Sequence, residues 1–266
     1  MNIVISPFKN PFVNLALEDY FLRGGADLPL AFFYVNRPCV VLGRFQNPWL
    51  ECQLDYLVEK DIWMVRRQSG GGCVFHDEGN LNFSFITPDS MINRRKHAEL
   101  IQRAFKKADI PLEISERNDL WLQGRKISGS AYKQTKHASY HHGTFLVNSD
   151  LHKLEESLKH TLVASATKSI ASVRSKVITL DEVYPGTQIE DVIEIISNEI
   201  GTSPTNLEGI LLSRPEVQES FKQLTSWEWL WGETPGFEVD GVKINKGDKY
   251  PTPDFSEQRR SSNLLF

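Results

Sequence analysis

Across residues 11–23 (PFVNLALEDYFLR), Phe12, Leu15, Ala16, Tyr20 and Leu22 recur near helical spacing and Pro11 suits a first turn, so a helix is expected. AFFYVN and CVVLGRF, separated by Arg-Pro, read as two short strands joined by a turn. Residues 53–60 predict a short helix, and IWMVRR a strand that feeds a run of three glycines. In NLNFSFI, Leu81, Phe83 and Phe85 alternate with Asn82 and Ser84, the pattern of a half-buried antiparallel strand. Residues 94–110 place Leu100, Ile101, Ala104, Phe105 and Ala108 on one stripe of an amphipathic helix. Short strands are expected around 112–115, 119–122, 125–128 and 140–147, and helices near 151–160 and 189–200. Strands in runs, broken by helices without strict βαβ alternation, predict an α+β fold with mixed or antiparallel sheets. From Phe237 onward the pattern fades. FEV–DG–VKI offers one weak hairpin, and 246–266 reads as poorly ordered or as awaiting a partner.

Composition narrows the class. The chain has 266 residues, of which 40% are hydrophobic and 24% charged, the balance of an ordinary globular protein. A net charge of −4 gives no bulk attraction to nucleic acid. The N-terminal residues lack the pattern of a secretory signal, and no apolar run is long enough to span a bilayer, so no membrane partner is expected. Cys39, Cys52 and Cys73 have no metal-ligand spacing, which fits a reducing compartment. The expected location is the cytoplasm, or the mitochondrial matrix in a eukaryote.

Several stretches carry candidate chemistry. The loop in RRQSGGGCVFHDEGN (66–80) is neither a P-loop nor a dinucleotide fingerprint. Consecutive glycines let backbone N–H groups approach an anion without Cβ atoms in the way, and Arg67 offers a fork for phosphate. A plain glycine-rich turn with solvated arginines is the alternative. In GRKISGSAYK (124–133), Lys126 sits inside a strand pattern, as a point charge for phosphate or carboxylate or as an edge-strand gatekeeper. Asn118 and Asp119 lie at a turn entering a strand. His141 and His142 are adjacent on a strand, so their side chains face opposite ways and cannot share one metal. Trp227, Trp229 and Trp231 alternate, which places them on one face if extended, in a core or as domain-closing anchors.

Taken in order, GRFQNPWLEC, RRQSGGGCVFHDEGNLNFSF, RND, RKISGSAY, HHGT, SVRSKV and WEWLWGETPGF resemble the motifs of the lipoate–protein ligase and lipoyltransferase family, over roughly residues 3–237. The resemblance implies the biotin/lipoate ligase-like fold, an α+β catalytic domain with a large and a small mixed sheet flanked by helices. It implies ATP-dependent conversion of lipoate (or octanoate) to an acyl-adenylate, then transfer to one lysine of an apo lipoyl carrier domain, such as a 2-oxoacid dehydrogenase E2 subunit or the glycine cleavage H protein. On this likeness Arg67, Ser69, Gly70, Gly71, Gly72, Cys73, Val74, Phe75, His76 and Asn118 contact the nucleotide. Lys126 contacts acyl carbonyl and phosphate, and Asp119 binds Mg²⁺ or orients the incoming lysine. Val41, Leu42 and Phe83 are candidates for an acyl tunnel. Cys73 stands where the family pattern has alanine. Family members continue past the tryptophan motif into an accessory domain, so residues 1–237 are expected to be the catalytic domain and 238–266 a short polar tail. A separate accessory subunit, or transfer from preformed lipoyl-AMP, follows as an alternative. A thiol-dependent octanoyltransferase is disfavoured, because all three cysteines precede Lys126.

Overall fold

The computed structural model describes residues 1–88, 93–160, 162–255 and 258. Its largest sheet is six-stranded and mixed, ordered β10 (Ser130–Gln134), β11 (Ala138–Leu146), β6 (Asn80–Pro88), β2 (Leu30–Val35), β1 (Asn2–Ile5) and β13 (Thr205–Asn206). A smaller mixed sheet sets β3 (Cys39–Leu42) between a parallel β4 (Trp63–Arg66) and an antiparallel β5 (Val74–His76). Two short antiparallel sheets complete the set: β7 (Glu113–Ile114), β8 (Leu120–Leu122) and β9 (Arg125–Ser128), and then β12 (Ala166–Thr167), β14 (Phe237–Val239) and β15 (Val242–Ile244). This is the expected α+β arrangement of a large and a small mixed sheet.

Helices pack where the apolar stripes require. α1 (Pro11–Leu22) starts at Asn10, whose side chain accepts the Phe12 and Val13 N–H groups, and buries nearly its whole surface. α2 (Pro48–Glu51), α3 (Leu54–Glu59) and α5 (Leu151–Leu158) flank the small sheet. α4 (Arg94–Lys107) presents Ala98, Ile101, Ala104 and Phe105 to the core beside α7 (Ile189–Ile200). α6 (Leu180–Val183) is a single turn, and α8 (Pro215–Thr225) lies along α1. Among the described residues no helix is long and apolar enough to cross a membrane.

β2 and β3 are the two short strands expected, and they belong to different sheets: after Val35 the chain leaves the large sheet and enters the small one. Two readings change. β6 is not half-buried, because it lies between β2 and β11 with Asn82 and Ser84 as buried as Leu81 and Phe83. The tryptophan segment is a tight π-helical turn, Glu228–Gly232, rather than an extended face. Trp229 enters the core between α1 and the large sheet, and Trp231 meets Trp49 in the core under the small sheet. β14 and β15 form the expected hairpin, with Asp240 and Gly241 both at positive φ. Of the tail, residues 246–255 and Gln258 are described; most of 246–254 is exposed, and three side chains pack. Tyr250 stands edge-on to Trp49, Phe255 meets Trp231, and Gln258 brackets the Met64 backbone with two hydrogen bonds on the open edge of β4.

Arg66 is the largest fully buried side chain. Its guanidinium donates to the carbonyls of Gly43, Arg44, Gln46 and Leu230 and to the Thr234 hydroxyl. Burial lowers its pKa only to about 10, so it stays charged at neutral pH. Arg66→Met strands those acceptors, and should cost on the order of 3 kcal/mol in urea unfolding with the slope unchanged. Arg66→Lys should rescue little, because one ammonium cannot span so many acceptors. A midpoint shift under a third of this would refute the assignment.

Candidate active site

The glycine loop, Gln68–Cys73, joins β4 to β5. Arg67 holds it from below, donating from Nε to Ser69 Oγ at 2.9 Å, from one terminal nitrogen to the Val41 carbonyl, and from the other to the Gly70 and Gly72 carbonyls at 2.7 Å each. Four of its five N–H donors are thereby spent on the protein. The guanidinium thus shapes the loop from within, and Arg67 also lines the first of two cavities at this site. Glycine is needed at two points. Gly71 has φ +88°, and a Cβ on Gly43 would come within 2.1 Å of the Gly71 carbonyl oxygen.

A third strand of contact comes from far along the chain. Ser172 Oγ accepts the Cys73 N–H and the Gln46 side-chain amide, and donates to Glu51 Oε2 at 2.5 Å. The turn at 43–46, the glycine loop and the 170–172 segment are therefore bound to one another.

Lys126 faces the loop from β9. Its backbone is clamped by Lys176 and Ile178, and its Nζ donates to Asp119 Oδ2 at 2.8 Å. Asp119 Oδ1 also accepts the Ser130 N–H at 3.2 Å. A Cβ at Gly129 would sit 3.0 Å from Lys126 Cε, so a larger residue there would press on the lysine's end.

Two cavities meet here. The first, about 300 Å³, is lined by Leu15, Tyr34, Val41, His76, Asn82 and His142 and by Gly71–Val74, Arg117, Asp119 and Lys126. The second, about 600 Å³, has Phe75, Leu146, Leu151, Leu154 and Leu158 on one side and Arg125, Arg174 and Lys176 on its rim. Cys73, Val74, Lys126, Gly129 and Ser172 line both.

The expected site residues separate accordingly. Arg67, Gly71, Gly72, Cys73, Val74, His76, Asp119 and Lys126 line the first cavity, and Phe75 the second. Gly70 and Ser69 do not. Gly70 turns its carbonyl to Arg67, and Ser69 is buried between Arg67 and His142. Asn118 lines neither cavity; it takes a positive φ of 65° and donates its N–H to Ser115, a turn-forming role. Of the tunnel candidates Val41 lines the first cavity, whereas Leu42 and Phe83 are packed into the cores. Residues 170–177, Arg117, Tyr34 and Leu151–Leu158 were not legible as site residues from local pattern. The SVRSKV motif was the one signal for that strand of contact.

His141 and His142 face opposite ways. His142 Nδ1 meets the buried Glu18 carboxylate at 2.9 Å and its Nε2 meets Ser69 Oγ at 2.8 Å. His141 stacks on His97 at 5.6 Å, inside the core. Among the described residues no three His, Cys, Asp or Glu side chains form a metal cluster. Asp119 alone suits a cation that arrives with a phosphate chain, since Mg²⁺ needs only one or two carboxylates beside phosphate and water.

A model of the lipoyl protein ligase A/B catalytic domain matches residues 10–201. This chain belongs to that family. It is 37% identical over 250 residues to the lipoate-protein ligase A of Psychrobacter cryohalolentis, covering 89% of this chain and 74% of that relative. The structure is similar to that of P. falciparum LipL1 in complex with lipoate, with TM-score 0.78, 26% identity, and 88% of this chain and 74% of the other covered. A lipoate-protein ligase A bound with ATP superposes with TM-score 0.74 at 24% identity, covering 87% and 98%. The ligase fold expected from the motifs is therefore the fold observed.

Burial lowers the pKa of His76 and His141 to about 3 and of His97 to about 4. In the unfolded chain each protonates near 6.5. Between those values the unfolded state holds more protons, so stability should fall as pH drops from 6.5 towards 4, by about 1–2 kcal/mol per group at pH 5. Urea unfolding at pH 7 and pH 5 measures this, and His141→Leu should flatten the dependence. Equal slopes in the two proteins would refute it.

Proposed function

We propose that this chain joins lipoate to ATP at the junction of the two cavities and passes the lipoyl group to a lysine of a carrier domain. The observation that carries this reading is Lys126, a single cation that lines both cavities. The first is small and runs between Leu15, Tyr34 and Val41, which suits an apolar acyl chain whose carboxylate stops at Lys126. The second is larger and rimmed by Arg125, Arg174 and Lys176, which suits a nucleotide and its phosphates. The likeness to a lipoate-protein ligase A bound with ATP supports a nucleotide as one of the two reactants.

The chemistry then follows from placement and charge. A lipoate oxygen attacks the α-phosphorus of ATP, the bond to the β-phosphate bridging oxygen breaks, and pyrophosphate leaves. The chain's share is to hold the two anions together and to neutralise the charge that builds on the phosphoryl oxygens. Backbone N–H groups of the glycine loop and Lys126 supply this. The Lys126 charge is offset by Asp119. When a phosphate takes over Lys126, the Asp119 carboxylate is released at the mouth of the first cavity. There it accepts a proton from the incoming carrier amine as that amine attacks the mixed-anhydride carbonyl and AMP departs. Mg²⁺ held by Asp119 and the phosphates would further neutralise the triphosphate. The proposed protein partners are apo lipoyl carrier domains, such as an E2 subunit or the glycine cleavage H protein.

Purified protein incubated with lipoate, ATP, Mg²⁺ and an apo carrier domain should add one lipoyl group, read by intact mass. Lys126→Met should lower kcat/KM by at least about 10³-fold with unfolding unchanged, as expected for loss of an oriented charge. Asp119→Asn should impair transfer from synthetic lipoyl-adenylate as well as the overall reaction. Modification from the adenylate but not from lipoate and ATP would refute self-sufficient activation and indicate a separate accessory subunit.

A further inference from the structure

Cys52 and Cys73 stand 21 residues apart in the chain, and the fold brings their Sγ atoms to 3.7 Å, one thiol donating to the other. Both are free thiols. They sit at the ends of elements rather than inside them. Cys52 is the C-terminal cap of α2, in extended backbone with φ −129° and ψ 150°. Cys73 immediately precedes β5 and follows Gly71 and Gly72, whose backbone freedom lets that end of the loop shift. A bond between the two needs the sulfurs to close to about 2 Å, a short further step.

The two thiols differ in access. Cys73 lines both cavities, so a small solute that enters either one meets it. Cys52 lines neither; it belongs to the apolar core with Trp49, Leu57 and Phe75. Its hydrogen bond to Cys73, reinforced by burial, pushes the Cys52 thiol well above its ordinary range, so it stays as S–H. Cys39 is fully enclosed and lines neither cavity. A thiol on a cavity wall, backed by a hidden one, suits oxidation of the first and its resolution by the second.

The pair is also tied to the loops around it. Cys73 donates its N–H to Ser172 Oγ, and Ser172 donates in turn to the carboxylate of Glu51, the neighbour of Cys52. Cys73, Ser172 and Lys126 all line both cavities, so a displacement of Cys73 deforms the wall that the two share.

We propose that Cys52 and Cys73 are a redox-modified pair: hydrogen peroxide converts them to a disulfide that turns the site off, and a thiol reductant restores it. The Cys73 sulfur attacks one peroxide oxygen, the O–O bond breaks, and water leaves behind a sulfenic acid. The Cys52 sulfur then attacks the Cys73 sulfur, the S–O bond breaks, and the Cys52 proton leaves with the hydroxyl as a second water. Two thiols are oxidised and one peroxide is reduced. Such a transient bond is the form disulfides take in a reducing compartment. Closing from 3.7 Å to about 2 Å draws Cys73 towards the core and displaces the end of the glycine loop by on the order of 1 Å. A misplacement of that size costs up to about 10²-fold where reacting groups must be aligned. The effect on ligation rests on the reading of the cavities proposed above; the disulfide itself does not.

The reduced full chain, treated with a small excess of hydrogen peroxide, should lose the mass of two hydrogens. Digestion without reductant should then give one peptide pair joined through Cys52 and Cys73. The kcat/KM for ligation should fall by at least about 10-fold and return with dithiothreitol. Cys52→Ala should ligate like the wild type when reduced, and after peroxide should gain oxygen at Cys73 instead of losing hydrogen. If it fails to fold, the wild-type peptide map decides. An unchanged mass, oxygen added at Cys73 with no bridge in the wild type, or a mapped bridge that leaves kcat/KM as it was overturns the proposal. A mapped bridge in protein that does not ligate even when reduced supports the modification site and overturns only the proposed reaction.

Discussion

Everything at this site hangs on two adjacent arginines at the end of β4. Neighbouring residues on a strand face opposite ways, so Arg66 and Arg67 serve opposite sides of the small sheet. Arg66 ties the turn at 43–46 to the tryptophan turn at 228–234, and so brings Gly43 under the glycine loop. Arg67 then fixes the loop itself by its own carbonyls. Three successive glycines lose much backbone entropy on folding, and a guanidinium fork is among the few groups with enough donors to offset that at one point. The tryptophan motif, which lies far from any reacting atom, matters because its turn supplies two of the acceptors for Arg66.

Much of this was legible in the sequence where local pattern decides the outcome. The apolar stripe of α4, the alternation in β6 and the Asp240-Gly241 turn each specify an element within a few residues. Lys126 and Asp119 were legible as a pair only through family likeness, and the structure brings them to 2.8 Å. What failed was long-range. Nothing within CVVL distinguishes a hairpin partner of LAFFYV from a strand of another sheet, because both read as short apolar runs. Alternation in the tryptophan segment suggested a face, but the pull of two separate cores on Trp229 and Trp231 selects a tight turn instead. The loop-shaping bonds of Arg67 had no local signature either, because the carbonyls of Val41, Gly70 and Gly72 meet it only once the loop is folded. Ser172 reaches Cys73 across 99 residues, a contact with no local signature.

The two cavities differ in the way their walls are made. The first is bounded by strands of both mixed sheets and by α1, and closed by Arg117 and the 170–173 segment. The second is closed by α5 and by 172–177, with Arg174 and Lys176 exposed on that segment. A chamber built mainly from the two sheets and one built against α5 thus share a wall at Lys126. That division suits two reactants of unlike chemistry.

The same arginines have an effect beyond holding the loops in place. Among the described residues neither forms an ion pair with a carboxylate; both are satisfied by dipoles, chiefly carbonyl groups. Hydrogen bonds of this kind stabilise a charge without cancelling it. Both positive charges therefore persist beside the glycine loop, only partly offset by Glu233 and Glu18, in a medium that screens them less than water does. The scaffold that shapes the loop is thus also part of its electrostatics, and where Arg67 lines the cavity it favours an anion over a neutral group.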